Sequence, residues 1–128
     1  MALTAARVLE ILAKAEAKSR EMGLRTTTAV VDENGLLFGF LRMEGARFTT
    51  VDIAQGKAKG CAAGRLPTGE LAERASRPVY EYQMMRSGAL FAQGAVPILE
   101  DGEFIGACGV SGAPGGEQDE VIAYAAIG

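Results

Sequence analysis

Two dipeptides, Asn34-Gly35 and Asp101-Gly102, restrict what this chain can fold into more than any other feature of it. Asn, Asp and Gly tolerate the positive φ that a tight reversal demands, so each dipeptide between two apolar runs predicts an antiparallel hairpin. Before the first lies a β-branched run, RTTTAVVD from Arg25 to Asp32, and after it LLFGFLR from Leu36 to Arg42. The second is a two-residue turn joining Ala95–Glu100 to Glu103–Val110, and the first is expected to be of the same kind. From Leu36 onward both alternating sets are apolar, Leu36, Phe38 and Phe40 against Leu37 and Leu41, which predicts a strand covered on both faces. Pro97 has no N–H for a ladder and places its strand at an edge or at a bulge.

Helical periodicity fills the remaining stretches. From Thr4 to Met22, Val8, Ile11, Leu12, Ala15 and Met22 form one apolar stripe, with Thr4 able to cap the start and Gly23 to close the end. Thr49 with Asp52 three residues on opens a second helix, reaching about Ala63, whose expected buried set is Ile53, Ala54, Ala58, Cys61 and Ala62. Gly56, Gly60 and Gly64 recur along it, each costing about 1 kcal/mol relative to Ala. Such a stripe implies a close approach, by the sheet, by a second copy or by a ligand beside Lys57. Leu66 to Arg86 reads as a half-irregular crossover with a short helix begun by Pro67-Thr68-Gly69. The glycine-rich stretch Ser111 to Gly116 leads into a last helix, Glu117–Ile127. Helix, hairpin, helix, crossover, hairpin, helix is the order of a layered α+β fold, in one domain spanning residues 1–128.

Composition removes whole classes of function. The 128 residues carry a net charge of −3 with no two basic residues adjacent, so neither nucleic acid nor an anionic membrane surface is an expected partner. The chain has no His, which removes Ser-His and Cys-His relays and imidazole ligation of zinc or haem. Cys61 and Cys108 form no CxxC pair and read as small core residues. The first 22 residues interleave charges with apolar residues, unlike a secretory leader, and no run approaches the ~18 apolar residues of a membrane span. The expectation is a cytoplasmic protein with reduced thiols. Acidic residues are scattered without calcium-loop spacing, so no metal site is expected.

The glycine-rich stretch is no phosphate loop, because it lacks GxxxxGK[ST] and GxGxxG, and Glu117, Asp119 and Glu120 would repel phosphate from the following helix. Gly109-Val110-Ser111-Gly112-Ala113 ends in Ala where a nucleophile elbow needs Gly. More informative are polar residues at the edges of apolar elements: Asp32, Arg42, Asp52, Lys57, Ser111, Gln118 and Asp119. Lys57 lies among Ala54, Ala58 and Cys61, where snorkelling to solvent is the default. Pointing into a cleft instead, it would bind an anion, act as a base or form a Schiff base. Arg42 suits a carboxylate. Without His, haem iron would need Tyr80, Tyr82, Tyr124, Met84, Met85, Cys61, Cys108 or Lys57.

At this point the chain resembles the GlcG/HbpS-like family, the haem-degrading domain family, which also includes the C-terminal domain of PduO-type corrinoid adenosyltransferases. The matching stretches are the N-terminal Ala-rich helix, AVVDENGLLFGFLRMEGA from Ala29, VDIAQGKAKGCAAG from Val51, Pro67-Thr68, and GAVPILEDGEFIGACGVSGAPGGEQDEVIA from Gly94. The resemblance implies a profilin-like or PAS-like central antiparallel sheet flanked by helices, assembled as a homo-oligomer, with haem as a possible cofactor. Haem-binding members tend to offer a His, which this chain lacks. Other departures are Gly94-Ala95 in place of Gly-Gly, the added Gly56 and Gly60, and Pro114-Gly115-Gly116.

Two functional readings follow, beside a plain oligomeric scaffold. In the first the chain binds a small molecule, haem or another flat anionic ligand, near Arg42 and Lys57, with Asp52, Ser111, Gln118 and Tyr80 as further ligand-binding residues. In the second it is a cofactor-independent isomerase, tautomerase or lyase for a small carboxylate or carbonyl substrate. There Arg42 anchors the anion and Lys57, Asp32 or Asp119 moves a proton.

Overall fold

The computed structural model describes residues 2–128. Thr4 caps the first helix, α1 (Ala5–Glu21), its Oγ1 accepting from the Arg7 amide at 3.2 Å. Strands β1 (Thr27–Asp32) and β2 (Leu37–Arg42) then pair antiparallel, followed by α2 (Thr49–Gly64). The expected crossover is a run of short pieces: α3 (Thr68–Leu71), a 3₁₀ turn (Ala72–Ser76) and α4 (Pro78–Ser87). The second hairpin, β3 (Ala95–Glu100) with β4 (Glu103–Ser111), leads into α5 (Gly116–Ile127). Strand order is β2-β1-β4-β3 and every pairing is antiparallel. The α+β reading of the sequence holds.

Two apolar layers sandwich this sheet. On one face Val8, Ile11, Leu12 and Ala15 of α1 and Ile122, Ala123 and Ala126 of α5 meet Val30, Val96, Ile98, Cys108 and Val110. On the other, Ala54, Ala58 and Cys61 of α2 meet Ala29, Val31, Ala95 and Ala107. Small residues let α2 lie close: a Cβ on Gly109 would stand 2.5 Å from the Ala54 carbonyl oxygen. Both cysteines are buried free thiols, as the sequence implies.

Several expectations need correction. Asp101 and Gly102 both have positive φ and form the two-residue turn, whereas the first hairpin uses a three-residue loop with only Gly35 left-handed. The cause is Asp32, whose Oδ1 accepts from the amides of Asn34 at 2.9 Å and Leu36 at 3.1 Å and so competes with a tighter turn. β2 is not covered on both faces: it is an edge strand, and Leu36, Leu37 and Phe38 are exposed. β1 alone pairs with it among the described strands, and α2 sits chiefly over β4 and β1. Ile53 is likewise exposed rather than buried. α2 starts without a side-chain cap, its N-cap residue being Phe48 rather than Thr49. The glycine stripe makes room for other segments of this chain rather than for the sheet. Gly56 and Gly60 receive the chain at Leu90, whose amide donates to the Gly56 carbonyl at 2.8 Å, and Gly64 receives Leu71. Pro97 is on edge strand β3, next to a register shift between Ile98 and Leu99.

Candidate functional site

The sheet register sets up one end of the molecule. Thr27 pairs with Arg42 on one side and with Ser111 on the other, so these three lie in a row on the α2 face of the sheet. Thr27 Oγ1 meets Thr50 Oγ1 at 2.7 Å, and Thr50 Oγ1 donates to the Arg47 carbonyl at 2.6 Å, tying β1 to the start of α2. Around this row the loops before β1, before α2 and after β4 leave a polar cleft of about 540 Å3. Arg25, Arg47, Thr49, Thr50 and Ser111 supply its polar lining, with Gly112, Ala113 and Pro114 along one wall.

Glu44 lies near enough to feel the Arg25 charge, but no ion pair holds either arginine of the cleft, Arg25 or Arg47, among the described residues. Arg25 donates to the Leu24 carbonyl at 3.3 Å. Ser111 is 6% exposed and its hydroxyl has no hydrogen-bond partner among the described residues. The first turn of α2 has no side-chain cap, but the Thr50 and Val51 amides donate to the Arg47 and Phe48 carbonyls at 3.0 and 3.1 Å, and Asp52 adds a negative charge there. Two guanidinium groups and a free hydroxyl can together hold a carboxylate or another small oxyanion.

Of the residues singled out from sequence, some support this cleft from beside or beneath it, Ser111 lines it, and others lie elsewhere. Arg42 donates to the Ala46 carbonyl at 3.1 Å and so shapes the β2–α2 loop that carries Arg47. Lys57 does not snorkel: at 5% exposed it donates to the Val110 carbonyl at 3.0 Å and to Asp119 Oδ2 at 2.8 Å. Asp119 Oδ1 accepts from the Ala113 amide at 3.0 Å, so the buried pair fixes the 111–114 wall from beneath. Gly94 closes over Lys57, its absent Cβ falling 2.6 Å from the ammonium nitrogen. Gln118 Oε1 accepts from the Gly115 amide at 3.1 Å and caps α5. Asp52 is exposed at the α2 N-terminus. Asp32 is at the opposite end of β1, occupied by its turn, and Tyr80 stacks edge-on against Phe91 at 5.9 Å on α4. Only Ser111 of the expected set lines the cleft.

Arg25 and Arg47 are the residues that the sequence reading passed over. The available signal was their position in loops flanking an element start, where binding groups concentrate. Thiol chemistry is absent from the site: burial pushes both Cys61 and Cys108 up to about 12. Among the described residues no group of three or more His, Cys, Asp or Glu side chains could hold a metal ion, and no helix is long and apolar enough to cross a membrane.

Fold and cleft together define a one-domain α+β protein with a four-stranded antiparallel sheet between helical layers and an arginine-bearing opening at one end of that sheet. The chain belongs to the family described as haem degrading protein HbpS-like, whose model matches residues 3–128. It is 30% identical to an uncharacterised 15.0 kDa protein of the dhaT-dhaS intergenic region of Citrobacter freundii, covering 98% of this chain and 89% of that protein. Among solved structures, a double mutant of HbpS from Streptomyces reticuli superposes with a TM-score of 0.90 at 31% identity, over 99% of this chain and 86% of that one. The PduOC:heme complex gives a TM-score of 0.90 at 23% identity, over 99% and 94% of the two chains, a likeness of fold.

Proposed function

We propose that this chain binds a small anionic molecule with a flat body, of the haem class or similar, in the cleft between the start of α2 and the 111–114 loop. The observation that carries this is the pair Arg25 and Arg47, two cations lining one cleft, neither of them in an ion pair among the described residues. Membership of the HbpS-like family supports a small-molecule ligand, and one protein of the same fold has been crystallised with haem. At about 540 Å3 the cleft is within the range of small-ligand sites, about 300–1,000 Å3. No Tyr, Met, Cys or Lys lines the cleft, so the ligand is held by its carboxylates rather than through iron.

The proton-moving enzyme reading draws no support from this geometry, since Lys57 and Asp119 neutralise one another and Asp32 serves its turn. Absorbance titration with hemin, and in parallel with iron-free protoporphyrin, tests the proposal. Saturable binding of both at one equivalent is expected, with at least a tenfold weakening in Arg25→Gln/Arg47→Gln. Undiminished binding by that double variant would overturn it.

A further inference from the structure

A second cavity, of about 390 Å3, opens just past the C-terminal end of α2, at the other end of that helix from the cleft. Leu66, Pro97, Leu99 and Ile127 give it apolar walls, and Arg7 and Arg65 also line it. Leu66 and Leu99 are 40% and 54% exposed, so these walls meet water rather than one another. Both arginines are already oriented by neutral groups. Arg7 Nη2 donates to the Ile127 carbonyl at 3.1 Å, while Arg65 Nη2 donates to the Glu33 carbonyl at 3.2 Å and its guanidinium carbon lies 4.2 Å from the centre of the Phe104 ring. Neither has a carboxylate within ion-pair distance among the described residues. Arg65 holds its place at a cost, being one of two non-glycine residues with positive φ (61°) among those described.

An apolar groove with two pre-oriented cations and no carboxylate among its lining residues is complementary to an amphipathic anion. The geometry points to a second ligand site here, separate from the cleft, that takes an unbranched aliphatic carboxylate: the chain lies along Leu66, Pro97 and Leu99, and the carboxylate forks to Arg65 with Arg7 beside it. A carboxylate at a planar guanidinium gains two parallel hydrogen bonds, which a neutral head group of the same chain length cannot match.

Calorimetric titration of the whole chain with decanoate, against 1-decanol and butyrate, is the test. Decanoate is expected to saturate one site per chain, with 1-decanol and butyrate each at least tenfold weaker. Arg65→Asn, which keeps a residue tolerant of the left-handed conformation, and Arg7→Gln should each weaken decanoate tenfold or more and leave 1-decanol unchanged. Arg25→Gln/Arg47→Gln should leave decanoate binding intact, so this site stands or fails apart from the cleft. Equal affinity for decanoate and 1-decanol, or no effect of either arginine variant, would overturn the proposal. So would light scattering in which Leu99→Asp alone dissociates a larger assembly, because the groove would then be a contact between copies.

Discussion

Lys57 Nζ lies 2.8 Å from Asp119 Oδ2 with both side chains almost wholly out of water, so a cation from α2 and an anion from α5 neutralise each other beneath the wall of the cleft. Removing one partner strands the other as a buried charge, which costs about 3–5 kcal/mol, whereas replacing both with apolar residues is often close to neutral. Lys57→Met should therefore shift urea unfolding by an amount in that range, and Lys57→Met/Asp119→Leu should recover most of it. A Lys57→Met protein as stable as wild type would show that the pair carries no structural role.

Gly60 reverses the usual sign of a helix substitution. Gly to Ala inside a helix ordinarily stabilises by about 0.5–1 kcal/mol. Here the new methyl would run into the backbone carbonyl of Leu90, which cannot swing away as a side chain would. Gly60→Ala is expected to destabilise by roughly 1–3 kcal/mol, the usual range for overpacking. A raised melting temperature would contradict the packing described at this helix face.

Both thiols should be silent in the native protein. With Cys61 and Cys108 pushed up to about 12 by burial, a disulfide reagent at pH 8 should label neither until the chain unfolds, and then both. The sign of the linkage follows: the fold holds protons that the unfolded chain releases above about pH 8.5–9, so this contribution is complete below that pH and is lost as pH rises toward 12, at up to about 1.4 kcal/mol per pH unit for each thiol. Replacing either cysteine with Ala should flatten the alkaline decline of the urea midpoint.

Asp32 belongs to the hairpin and not to the cleft. Asp32→Ala removes the acceptor for two turn amides and should cost about 1–2 kcal/mol in stability, while leaving hemin titration unchanged. A loss of binding without a loss of stability would make Asp32 a ligand contact instead.

The Arg25 and Arg47 sites carry a salt signature. Exposed cations that hold an anion are screened over about 8 Å at 0.15 M salt and about 3 Å at 1 M. Affinity for protoporphyrin should fall as NaCl is raised from 50 mM to 1 M, and the double Gln variant should lose most of that dependence. An affinity insensitive to salt would assign the binding to apolar contact alone.

The parts legible in the sequence are those whose causes are local. Asp101-Gly102 turns the chain because its own backbone takes positive φ, and α1 follows from Val8, Ile11, Leu12 and Ala15 at helical spacing with Thr4 as its cap. These determined two hairpins, three main helices and hence an α+β fold, and the stretches around Asn34-Gly35 and Asp101-Gly102 carried the family resemblance. Tertiary structure decided the rest, because burial depends on which distant segments pair. Nothing local separates a snorkelling Lys57 from a buried one; Asp119 and the Val110 carbonyl, brought in by the β4–α5 connection, make the difference. The same strand order leaves β2 at an edge despite its two apolar faces, and sets Arg25 and Arg47, unremarkable in their own loops, on one cleft where neither forms an ion pair among the described residues.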